Sequence, residues 1–156
     1  MLAWLAGLAA ALLATGCSPS YVEGSLSRIM DLGFEKVWVS SNPDEVVVRF
    51  AKPLGDGEDT VFQLTVRLEG VALFSNIQFD LAEILPSGSQ RGEVTRNVLD
   101  DTRRRFPPIL VGTLLLWDVP LEPFQRVSGR FDVRFENGIE FASGHTAFAT
   151  FQGTVP

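Results

Sequence analysis

Residues 60–81 read TVFQLTVRLEGVALFSNIQFDL, and their pattern decides the fold. β-branched, aromatic and aliphatic side chains alternate with polar ones in two runs, 60–68 and 71–81, separated by Glu69 and Gly70. A period of two marks a strand with one buried face, and a glycine-containing pair between two such runs marks a turn. The spacing predicts a hairpin with a two-residue loop. Leu68 then faces Val71, Val66 faces Leu73, Leu64 faces Ser75 and Phe62 faces Ile77, with all but Ser75 apolar on one face.

Outward from this stretch the same signature repeats. Strands are expected at 34–40, 45–51, 110–119, 127–135 and 139–152, with a shorter one at 93–98, broken by clusters of Gly, Pro, Asn and Asp. At Asn137-Gly138 a two-residue loop would turn Ile139 and Phe141 to water. A three-residue loop over 136–138, with Gly138 left-handed, sets Phe135 beside Ile139 and Val133 beside Phe141 and buries one face. Residues 110–119 are apolar at both parities, as in a central strand covered on both sides. Residues 86–109 are polar and aperiodic, as in a long crossover, and 25–32 form either a short helix or a lead-in strand. About seven strands with one long crossover predict an all-β fold, an antiparallel β-sandwich of immunoglobulin-like type, with a small β-barrel as the alternative.

The 156-residue chain carries 13 Lys and Arg against 19 Asp and Glu, a formal charge of -6. That balance argues against nucleic acid, whose phosphates call for a basic surface. A single cysteine, Cys17, forbids an internal disulfide. Catalytic signatures are few. His145 is the one histidine and is expected packed at a sheet end, and no HExxH, CxxC or Walker spacing occurs. Gly88-Ser89-Gln90-Arg91-Gly92 has the glycine spacing of a nucleophile elbow but places Gln90 where serine must stand. No catalytic residue, metal or cofactor is therefore expected. The acidic stretch Gly55-Asp56-Gly57-Glu58-Asp59 reads as a solvated loop rather than a calcium site, and Trp38, Trp117 and Phe124 read as core rings before a sugar platform. Phe148 falls among Thr146, Thr150 and Gln152 on a polar face. Arg103, Arg104 and Arg105 form the one concentrated basic run, near Arg96, and are the expected contact for an anionic partner; pairing with Asp100 or Asp101 is the alternative.

Residues 2–14 are an uncharged apolar block of thirteen, too short to span a bilayer as a helix, for which about 20 residues are needed. The length suits a secretory signal helix, with small Ala14 and Gly16 before Cys17. Ala14-Thr15-Gly16-Cys17 resembles a bacterial lipobox. The resemblance covers only this segment. It implies cleavage before Cys17, acyl chains on Cys17 that tie the chain to a membrane, and, with Ser18 rather than Asp next, the outer membrane. The expected organisation is a signal peptide at 1–16, a lipid-anchored tether and lead-in at 17–33, and the β domain at 34–156. The expected function is a non-catalytic binding or structural subunit of a cell-envelope assembly, facing the periplasm or exterior. A small-ligand or carbohydrate binder is the alternative, and an enzyme comes third.

Overall fold

The structure is a computed structural model that describes residues 20–156. The expected signal helix and Cys17 lie outside the described residues. The fold is all-β. Its strands are β1 Tyr21–Glu23, β2 Lys36–Ser41, β3 Glu45–Leu54, β4 Gly57–Arg67, β5 Ile77–Asp80, β6 Gly92–Asn97, β7 Ile109–Leu116, β8 Arg126–Phe135 and β9 Thr146–Thr154, with one 3-10 turn at Ser25–Arg28. They form a single nine-stranded sheet in the order β5-β7-β8-β9-β2-β3-β4-β6, and β1 adds to β9. Every pairing is antiparallel except the one-residue parallel contact of Trp38 with Thr154.

The sheet nearly closes into a barrel-like wall, a path that fits a barrel or a sandwich curled at its edges. Beyond β5 the chain turns at Leu81 and Ala82 and bridges Ile84 to Gln90, and the Gly92 and Arg91 N–H groups donate to the Leu81 and Glu83 carbonyls at 2.9 and 2.8 Å. The Gln90 amide spans the same seam: its Oε1 accepts from Ile109 N–H at 2.8 Å and its Nε2 donates to the Ile109 carbonyl at 2.7 Å. This pairing satisfies edge groups that an open sheet would leave to other chains. Close approach at the wall requires glycine: a Cβ on Gly129 would sit 2.5 Å from the Leu115 carbonyl oxygen.

Alternation fills the interior as the strand signature demands. β8 buries Val127, Gly129, Phe131, Val133 and Phe135, and Phe50 lies edge-on to Phe62, Phe131 and Phe151 with centroids 6.0 to 6.2 Å apart. Phe62 stacks on Phe131 at 5.3 Å. Such rings fill the wall's interior and add aromatic contact to area burial.

Several local expectations are corrected. The turn at Glu69-Gly70 exists, with Val71 N–H bonded to the Leu68 carbonyl at 2.8 Å and Gly70 at φ 74. Yet 71–76 does not return along β4; it crosses the sheet end, so that Val71 and Leu73 pack on the core while β5 pairs with β7. The last hairpin is longer than expected: Phe135 N–H bonds to the His145 carbonyl, Val133 faces Ala147 and Phe131 faces Ala149. Ile139 is fully exposed, and the left-handed glycine is Gly144 (φ 72), not Gly138. The observed register sets small residues opposite large ones and keeps Ser143 out of the core, which the shorter loop would not. In β7 a register irregularity between Ile109 and Val111 breaks the parity, and Leu110 and Val111 are exposed, so this strand is covered on one face only. The β3–β4 acidic loop shrinks to a two-residue turn, Leu54 facing Gly57. Residues 21–32, expected as tether and lead-in, belong to the sheet and core through β1 and buried Leu26, Met30 and Leu32.

Candidate functional site

β2, β4, β7 and β9 run in one direction, so the molecule has two ends. The chain enters β1 at the end where those strands finish, and the β3–β4 turn, the 98–108 loop and the 136–145 loop gather at the other. That other end carries the arginines.

β6 points Val94 and Arg96 inward, and Arg96 closes the sheet's arginine end with its side chain 5% exposed. A buried cation needs a partner, and Asp101 supplies it at 3.4 Å. Asp101 is in turn held by Arg103, whose Nε and Nη2 donate at 2.8 and 2.7 Å and whose backbone N–H donates at 2.9 Å. These side-chain bonds, then the backbone bond, then the charge of Arg96 hold the Asp101 carboxyl far below the usual carboxylate range, against a smaller opposing effect of burial. Arg103 is correspondingly raised by its bond to Asp101. Burial pushes Arg96 down; Asp101 opposes this, and nearby Arg103 and Arg104 add to it. Arg96 Nε has no hydrogen-bond partner among the described residues, while its Nη1 lies 3.5 Å from Met30 Sδ.

The three predicted arginines thus differ in role. Arg103 is committed to Asp101 and lies over the Phe141 ring at 4.2 Å. Arg104 donates to the Val98 carbonyl and braces the turn closed by Asp101 N–H to Val98 O. Arg105 makes no ion pair among the described residues and borders a seam pocket of about 340 Å³, floored by Val94, Phe106 and Ile109. All three are exposed at one end, and of the three Arg103 alone has a carboxylate partner among the described residues.

Other candidates resolve simply. Glu58 of the acidic stretch accepts from Lys36 Nζ, Trp38 Nε1 and Arg49 Nη2 at 3.2, 3.0 and 3.3 Å. Burial raises its carboxyl, and the Lys36 and Trp38 bonds outweigh this, leaving it lowered. Among the described residues no group of three or more His, Cys, Asp and Glu side chains is placed to hold a metal. Trp38 on β2 and Trp117 beyond β7 have β8 and β9 between them, so they form no common platform. His145 is half-buried just before β9 with Nδ1 3.2 Å from the Ser25 carbonyl oxygen. Phe148 is exposed on the outer face, edge-on to Tyr21 at 6.3 Å. Comparisons with family models, with curated proteins and with solved structures give no match.

Sequence reasoning missed two features. Arg91, in the failed nucleophile-elbow spacing, is a buried seam residue, paired with Glu83 at 2.6 Å and donating to the Arg67 carbonyl at 2.8 Å. A groove of about 690 Å³ opens between β1 and β2 beside Tyr21, Met30 and Phe34, where β2 diverges from β9. Neither follows from periodicity, because both arise where strands separate or close.

Proposed function

We propose that this chain is a lipid-anchored, non-catalytic binding or structural domain of a bacterial cell envelope, held to the outer membrane through Cys17. The observation that carries the reading is the sole cysteine, in Ala14-Thr15-Gly16-Cys17 at the end of the apolar block and three positions before Ser20, which is bonded to β9. Acylation at Cys17 would leave almost no free tether, so the domain sits on the bilayer and meets its partners at high local concentration. The packed phenylalanine interior favours binding at the surface. Arg104 and Arg105 lie at the end opposite the chain's entry, which favours an anionic partner away from the anchoring leaflet, such as peptidoglycan carboxylates or an acidic protein face, over lipid phosphates. The test is membrane fractionation with mass spectrometry of the mature terminus. Acylated Cys17 and release of the Cys17→Ser chain from membranes are expected; an unmodified thiol, or a Cys17→Ser chain still firmly bound, would overturn the reading.

A further inference from the structure

At the entry end, large apolar side chains stand in water. Leu121 is 75% and Phe124 84% exposed on the 117–125 loop between β7 and β8; Trp117, at 36%, opens the same loop. Phe74, 60% exposed, lies on the adjoining 68–76 loop, which joins this one through the Asn76 N–H to Trp117 carbonyl bond of 3.3 Å. The opposite end exposes Leu54, Leu99 and Ile139 on three separate loops, the last two next to Asp100 and Glu140, and Leu110 and Val111 at the start of β7, but none of its loops exposes large apolar side chains as fully and as close together as Leu121 and Phe124.

The 117–125 loop is not slack. Gln125 Oε1 accepts from the Leu121 and Glu122 N–H groups at 3.0 and 3.2 Å, and its Nε2 donates to the Val119 carbonyl at 2.8 Å. Ser41 Oγ donates to the Pro120 carbonyl at 2.6 Å, and Phe124 N–H donates to the Val155 carbonyl at 2.9 Å. Phe124 is held at φ 63, a left-handed backbone that is an outlier for a bulky residue. A braced loop that keeps a strained phenylalanine in water gains nothing from it within the fold.

Chain length fixes what faces this end. Gln152 N–H donates to Ser20 Oγ at 2.9 Å, so Ser20 is pinned beside β9. Three residues reach no further than about 10 Å, and three residues beyond Gln152 is Val155, the partner of Phe124. Three residues from Ser20 are therefore long enough for Cys17 to reach the level of the 117–125 loop and too short for it to reach the arginine end. We infer that the Trp117–Leu121–Phe124 tip, with Phe74, is a membrane-docking surface that enters the interface of the bilayer holding the acylated Cys17. The inference rests on the anchoring proposed above. Asp44, Glu69 and Glu122 on the same end oppose anionic headgroups, so the surface fits zwitterionic phospholipid and acts by apolar insertion, with tryptophan at the headgroup level where its amphipathic ring is favoured.

The test uses the mature full chain carrying Trp38→Phe, so that Trp117 reports alone, reconstituted in phosphatidylcholine vesicles with and without bromine-labelled acyl chains. Mass spectrometry first records the state of Cys17. An acylated chain whose Trp117 fluorescence falls at least about twofold in brominated vesicles, and recovers in Leu121→Glu/Phe124→Glu while the chain stays vesicle-bound, bears the proposal out. An acylated chain with no quenching overturns the docking, leaves anchoring intact and frees the tip for a protein partner. Quenching that the double substitution leaves unchanged also overturns it. A bare thiol at Cys17 overturns anchoring and docking together.

Discussion

At the arginine end, Arg96, Asp101 and Arg103 answer one another, and the phenylalanines near them, Phe106 and Phe141, are partly covered by the core. At the entry end, Leu121 and Phe124 stand in water although Phe62 and Phe131, of the same chemistry, stack inside. The contrast lies in what each end leaves unanswered. Where burial of Arg96 demanded a counter-charge, the loop supplied Asp101 and thereby engaged Arg103 as well. Where apolar side chains could have folded inward, the loop is braced so that they do not. Exposed apolar clusters of this kind mark contact surfaces more often than lone exposed residues do.

The largest expected effect comes from separating Asp101 from its arginines. Its carboxyl is depressed in the folded state, so its stabilisation is present above the unfolded value of about 3.9 and is lost as pH falls from there toward the folded value. Asp101→Asn leaves Arg96 buried without its counter-charge. It should lower the melting temperature by several degrees at pH 7, with the gap from wild type closing below about pH 4. A gap that is constant from pH 7 to pH 3 would show that Asp101 acts through shape rather than charge, and the ends would no longer differ in kind.

The all-β fold was legible because alternation is a local property: the buried parity of β3, β4 and β8 is written in 45–51, 60–68 and 127–135. Pairing was less so. The Leu68–Val71 turn followed from Gly70, but nothing in 71–76 distinguishes a returning strand from a segment that crosses the sheet end, since both require apolar residues facing inward. The last hairpin failed for a related reason. Asn137-Gly138 is a strong turn pair, yet the register is set by Ala147 and Ala149 fitting opposite Val133 and Phe131, a size match that alternation does not contain. At the arginine end the basic run was visible as a cluster in sequence. Its division into a clamped Arg103 and an Arg105 without an ion pair among the described residues depends on where the Val98–Asp101 turn aims one carboxylate.

The entry end offers an intermediate effect with the opposite sign. Glycine adopts φ near 63 without the steric cost that an L side chain meets there, which is about 1 kcal/mol or more. Phe124 is exposed enough that little packing is lost on its removal. Phe124→Gly should therefore raise unfolding stability by roughly 0.5–1 kcal/mol in denaturant titration, while weakening the vesicle contact of Trp117. Lower stability in this variant would mean that the ring packs on the loop, and the entry end would become another core satellite.

The smallest effect sharpens the arginine end itself. Arg105 is exposed and makes no ion pair among the described residues, whereas Arg103 bridges Asp101 and the Phe141 ring. Arg105→Gln should therefore shift stability by less than about 0.5 kcal/mol, and Arg103→Gln should lower the melting temperature measurably. Their effects on binding should rank the other way. Retention of the protein on purified peptidoglycan, read at low and at physiological salt, should drop more for Arg105→Gln than for Arg103→Gln, because a guanidinium already paired with a carboxylate presents little net charge outward. Exposed charges are screened beyond about 8 Å at physiological ionic strength, so the difference should narrow as salt rises. Equal loss from both substitutions, independent of salt, would mean that the end binds through its loop conformation, with Asp101 and Arg103 setting the shape, and not through the charge of Arg105.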